Sequence, residues 1–150
     1  MIEELEPENV GYESHLDIQG HQFPQQLRDP IASPQWVSRT LARRVGDVGP
    51  DRLVAALPLY GYRWGTSPTA DALSYSAAQR AVADAGVEIA RDPVSRSLHA
   101  ALPGQWNLWV SDAELLRTLR AEVMALGVRH LALWRLGQED PAVWTVIGRD

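Results

Sequence analysis

The chain has 150 residues, of which 45% are apolar and 22% charged, and a formal net charge of -5. That composition fits one globular unit, and no stretch approaches the ~18 consecutive apolar residues of a bilayer span. The acidic balance, with fourteen scattered arginines and no lysine, argues against a nucleic-acid surface, and the absence of cysteine excludes disulfides and thiolate metal sites while leaving the redox compartment open.

Residues 1–9 read as a charged lead-in without the apolar core of a secretory signal, so the chain as written is expected in the cytoplasm. Val10 to Glu13 is too short to assign as a strand. Ser14 to Ser33 is rich in His, Gln, Asp and Pro without helical period, and reads as a long ordered loop. His15 and His21 lack metal-ligand spacing, so no metal site is expected, and Asp17 reads as solvated. Ser33 and Pro34 then suit the cap and first turn of a helix whose Val37, Leu41 and Val45 share a face, with Gly46 to Pro50 as its end.

Arg52 to Tyr60 is a buried run with Pro58 near its carboxyl end. Tyr60, Tyr62 and Trp64 alternate, so in an extended chain they form one wall with polar tips. Ser74 to Ala85 reads as a helix closed by Gly86. Short apolar runs at Val87 to Ala90, Ser97 to Leu102 and Trp106 to Val110, divided by Asp92-Pro93 and Pro103-Gly104, predict a small antiparallel excursion. Ser111 and Glu114 form a capping-box pattern ahead of Leu115, Leu119 and Val123, and Gly127 ends that helix.

Leu131 to Leu136 has the appearance of a parallel strand buried on both faces, and Gln138, Glu139, Asp140 and Pro141 follow its Gly137 stop. Polar groups thus collect at a strand's carboxyl end, where ligands of α/β proteins bind. Trp134 reads as packing from periodicity alone. Glu139 and Asp140 suit a cap on a last short helix, against which Trp144 is expected to pack. The order helix, glycine turn, buried strand occurs at 34–60 and again at 111–136, which predicts adjacent parallel strands with both helices on one side. The class is α/β.

ALPLYGYRW at 56–64 and LALWRLGQEDPAVW at 131–144 resemble the seventh and eighth strands of chitinase-like glycoside hydrolases of family 18. The likeness is closest to bacterial cortex-lytic members and to the hydrolase-like domain fused to polysaccharide deacetylases and glycosyltransferases. Gly11-Tyr12-Glu13-Ser14-His15 is similar to the sixth-strand motif, with Glu13 in place of its usual Asp. Pro30-Ile31-Ala32-Ser33-Pro34-Gln35-Trp36 is similar to the PxAS-x-x-W segment that follows. The resemblance implies a partial (β/α)8 TIM barrel, strands six to eight, over residues 10–150, with a small α+β insertion at about 70–110. It implies that Tyr12 orients an acetamido group and that Trp134 floors a sugar subsite, with Tyr60 near the same sugar, while the alternating wall of Tyr60, Tyr62 and Trp64 offers a sugar-facing surface for further substrate contacts. The implied ligand is an N-acetylated oligosaccharide or polysaccharide, with no cofactor, no nucleic acid and no membrane, and the implied setting is the cell envelope.

The family's DxxDxDxE motif, whose Glu protonates the glycosidic oxygen, has no match in the sequence. A full barrel also takes roughly 250 residues. Three readings follow. The first is an incomplete carbohydrate-active domain, inactive alone and completed by the missing N-terminal half of the barrel or by a second copy of the chain. The second is a non-catalytic saccharide-binding or interaction module. The third is a hydrolase with a relocated acid, for which Glu13 and Asp140 are the candidates.

Overall fold

The computed structural model describes residues 30–67 and 69–148. Helix α1, Pro34–Val48, begins where Ser33 Oγ accepts the Trp36 N–H at 3.2 Å, with proline in the first turn. It runs through Gly46 and ends at Gly49 (φ 83°), within the expected Gly46 to Pro50 stretch. After a 3-10 turn at Pro50–Arg52, strand β1, Val54–Pro58, leads into the next strand through Leu59 and Tyr60 alone.

β2 (Gly61–Trp64), β3 (Ala70–Leu73), helix α2 (Tyr75–Ala85), β4 (Ala90–Arg91), β5 (Leu98–Leu102) and β6 (Trp106–Val110) follow. The five strands form an antiparallel sheet in the order β3-β2-β6-β5-β4. The expected antiparallel excursion is therefore present, with two differences. Gly61–Trp64 belongs to this sheet, and the run at Val87 yields only the two-residue β4. Ser74 Oγ caps α2 through the Ala77 N–H, and α2 covers one sheet face through Leu73, Ala78, Leu108 and Val110.

The chain returns through helix α3 (Ala113–Ala125), strand β7 (His130–Trp134) and the short helix α4 (Val143–Ile147). β7 pairs in parallel with β1, Ala55 opposite Leu131 and Pro58 opposite Trp134, as the two repeated units predict. One face of this pair carries Ala55, Leu57, Leu131 and Leu133, which join Val37 of α1 and Leu115, Leu119 and Val123 of α3 in the main core. Both helices therefore lie on the same side. At ~25 cal/mol per Å² of apolar area, fully buried side chains such as Leu57, Leu115 and Leu119 each contribute on the order of 2 kcal/mol.

The opposite face contradicts the expectation of a strand buried on both sides. Val54, Ala56, His130, Ala132 and Trp134 are exposed, so β7 alternates in burial and Trp134 is no core residue. Among the described residues helices pack on one side of the pair, and an unbroken apolar run does not reveal that asymmetry. The Ser111–Glu114 capping box is also corrected. Asp112 caps α3 by accepting the Leu115 N–H at 3.0 Å, while the Ser111 N–H donates to the Tyr60 carbonyl.

Candidate functional site

The carboxyl ends of β1 and β7 meet where the Leu59 N–H donates to the Trp134 carbonyl at 2.6 Å. Trp134 lies on the face turned away from the helices and is 64% exposed. Its peptide bond to Arg135 is cis. With most of its surface open, the ring is not packing material of the described core.

Tyr60 stands two residues beyond Pro58, the register partner of Trp134. From it the aromatic wall runs as predicted. The Tyr60 and Tyr62 rings meet edge to face with centroids 5.3 Å apart, and Tyr62 and Trp64 are 6.1 Å apart at a tilt of 53°. Gly61 between the tyrosines is required by packing. A Cβ there would stand 2.5 Å from the Trp109 carbonyl oxygen, so only glycine lets β2 lie against β6.

The polar rim after β7 is turned inward. The Gln138 carbonyl accepts the Tyr75 N–H at 2.8 Å, and Glu139 accepts the Gly137 N–H at 2.5 Å. Asp140 takes the Ala142 N–H on Oδ1 and the Ala113 N–H on Oδ2, both at 3.0 Å. It thus ties the loop to the start of α3 as well as to the approach of α4, where the sequence suggests a cap on the last helix alone. Both carboxylate oxygens serve backbone amides, which fits a positioning role. In α4 it is Val143 and Val146 that pack, whereas Trp144 is 49% exposed, contrary to its expected role.

Charge gathers beside this knot. Arg91 donates to Asp112 through Nη2 (2.6 Å) and Nη1 (3.2 Å), and Glu114 lies 3.2 Å from Arg91 and 2.8 Å from Arg96. The hydrogen bond to Asp112 holds the Arg91 guanidinium above its ordinary pKa despite burial. Burial, reinforced by Asp140 and Asp112, pushes the Tyr75 phenol up as well.

Tyr12, Glu13, His15, Asp17 and His21 lie outside the described residues. The PxAS-like segment falls at the start of α1, where Ala32 and Trp36 belong to the core and Ser33 is the cap. Sequence reasoning missed Trp109, His99 and Asn107, which stand on the same sheet face as Tyr62 and Trp64. The alternation of WNLW separates Trp109 from Trp106, but only strand register reveals their neighbours.

No family model and no curated protein matches the chain. Among solved structures it is similar to a chitinase from Chromobacterium violaceum ATCC 12472, at 26% identity and a TM-score of 0.71, over 81% of this chain and 39% of that one. A class V chitinase from Pseudomonas fluorescens Pf-5 gives 26% identity and a TM-score of 0.68 over 81% and 40%. The chain shares a chitinase-like fold with them. The Bacillus cereus spore cortex-lytic enzyme SleL shares it at 21% identity and a TM-score of 0.70, over 80% of this chain and 30% of SleL. The chain therefore spans 30% to 40% of the length of these chitinase-like structures.

Proposed function

We propose that the chain supplies the sugar-binding, carboxyl-terminal part of a family 18 chitinase-like barrel acting on N-acetylglucosamine-containing glycans of the chitin or peptidoglycan type. In this reading β1 and β7 are the seventh and eighth barrel strands, and the segment from β2 to β6 is an insertion between them. The exposed ring of Trp134 at the carboxyl end of β7 carries the reading. It lies on the face that a barrel turns toward its interior, and sugar rings stack their C–H faces on such a surface.

No residue of the chain occupies a DxxDxDxE motif, and Asp140 is engaged with backbone amides. The chain alone is accordingly proposed to bind glycans without cleaving them. Calorimetric titration with N-acetylglucosamine oligomers tests the binding, and chromophore release from an N-acetylglucosamine glycoside tests the chemistry. Binding that is lost in a folded Trp134→Ala protein, with no chromophore release by the parent, supports the proposal. Equal binding by parent and variant overturns the Trp134 floor, and release that is abolished by Asp140→Asn would instead establish a relocated acid.

A further inference from the structure

Trp134 is secured on one side and open on the other. Upstream, the ladder to β1 and the Leu59 N–H on its carbonyl fix the backbone. Downstream, Arg135, Leu136 and Gly137 are all exposed, so no packing places the chain as it leaves the ring. The ring is itself mostly exposed and takes little of its placement from neighbours. An exposed segment of this kind keeps one conformation only if hydrogen bonds farther along tie it down.

Two such ties exist among the described residues. The Gln138 carbonyl accepts the Tyr75 N–H at the start of α2, and Asp140 Oδ2 accepts the N–H of Ala113, the first residue of α3 and 27 positions away in the chain. Glu139 bonds within the loop to the Gly137 N–H, so Asp140 supplies the side-chain tie to another element. Its post is firm. Helix α3 is buried through Leu115, Leu119 and Val123, and its cap Asp112 is gripped by Arg91. A carboxylate on the first amide of a helix also meets the positive end of the helix dipole, which makes this a charge-assisted bond. Oδ1 meanwhile takes the Ala142 N–H, so both oxygens are engaged.

We propose that Asp140 is a positioning residue for Trp134: by pinning the loop to α3 it holds the exit of β7 and keeps the exposed ring in one placement for a ligand. The inference rests on the function proposed above and gives this carboxylate a task that needs no proton transfer. Without the tie the loop samples other placements, and apparent affinity falls with the fraction of molecules in which the ring is in place.

The whole chain labelled with fluorotryptophan gives the Trp134 ring its own fluorine resonance, identified by its loss in Trp134→Phe. Asp140→Ala is expected to shift or broaden that resonance and to weaken binding of the N-acetylglucosamine hexasaccharide about tenfold, as a competent fraction of about one tenth gives. Asp140→Asn keeps one acceptor oxygen, so it should do both to a smaller degree, and it carries the comparison if Asp140→Ala does not fold. Val45→Ala, which thins the core behind the other end of the parallel strands, should lower stability and leave the resonance and the affinity as in the parent. A resonance that stays unmoved in the Asp140 variants, or a parent that binds the sugar no better than they do, overturns the inference and leaves the Trp134 floor standing. An equal shift in Val45→Ala would also overturn it, by assigning the effect to general loosening. A resonance that moves in a protein whose parent binds no sugar upholds the placement by Asp140 and overturns the function proposed above.

Discussion

Arg91 grips Asp112 with two hydrogen bonds, joining the edge strand β4 of the antiparallel sheet to the residue that caps α3. The pair fixes the sheet against the helix that backs the parallel strands, and both side chains are largely shielded from water. Arg91→Ala leaves Asp112 without its cation and should cost about 2 kcal/mol in urea denaturation. Arg91→Lys should recover less than half, since an ammonium cannot reproduce the forked contact. Full recovery by lysine would show that charge alone matters.

Gly61→Ala places a methyl group 2.5 Å from the Trp109 carbonyl oxygen and 2.9 Å from Val110 Cβ. A backbone oxygen cannot swing aside as a flexible side chain can. The expected loss is about 2 kcal/mol, the scale of overpacking in a tight site. Thermal unfolding followed by circular dichroism measures it, and an unchanged midpoint would mean that β2 and β6 do not approach as described.

Trp134 and Leu119 give opposite expectations for stability. Leu119 is fully buried between α3 and the parallel strands, so Leu119→Ala should cost about 3 kcal/mol. Trp134→Ala removes a mostly exposed ring and should change stability by less than about 1 kcal/mol. A large loss at Trp134 would make it a core residue after all. Chemical denaturation of the two variants beside the parent decides.

Asp92 Oδ1 accepts the Ser95 N–H at 2.6 Å, the Ser95 hydroxyl at 2.7 Å and the Val94 N–H at 3.2 Å. Burial pushes the carboxyl pKa up, but the hydrogen bonds from Ser95 and Val94 outweigh it, and the net position is below the ordinary value. A carboxylate depressed in the folded state adds stability that is present above its unfolded value of about 3.9 and is lost as pH falls through the folded value. Asp92→Asn keeps an acceptor but removes the charge, so the variant should be less stable than the parent at pH 7 and should lose less stability between pH 5 and the acid limit. Parallel stability curves over that range would exclude the contribution.

Local chemistry made much of the fold legible. Ser33 and Ser74 occupy the expected caps, and the two helix-glycine-strand units form a parallel pair with both helices on one side, as crossover connections do. The failures are cases where the deciding partner is distant in sequence. Ser111 and Asp112 are adjacent residues of capping type, and it is the Asp112 carboxylate, held by Arg91 from a distant strand, that accepts the Leu115 N–H. The outward turn of Trp134 depends on where α1 and α3 pack. The ladder of Tyr60, Tyr62 and Trp64 follows from simple alternation, while the His99–Trp109 stack needs the register of two strands joined by a turn at Pro103–Gly104.

The hydrogen bond from the Ser111 N–H to the Tyr60 carbonyl closes a narrow neck, since the chain departs from the parallel strands and rejoins them at neighbouring points. Apart from the bonds of Tyr75, Arg91 and Arg96 to the Gln138 carbonyl, Asp112 and Glu114, everything between Gly61 and Val110 hangs from that neck like a cassette. Such an arrangement lets the hanging piece lengthen, shrink or be exchanged while the strands it leaves keep their register, because the ends to be joined do not move. The size of the cassette and the packing of the parallel strands can therefore diversify separately in this architecture, the first by rewriting the segment between Gly61 and Val110 and the second by keeping Leu57, Leu59 and the residues that pack behind them.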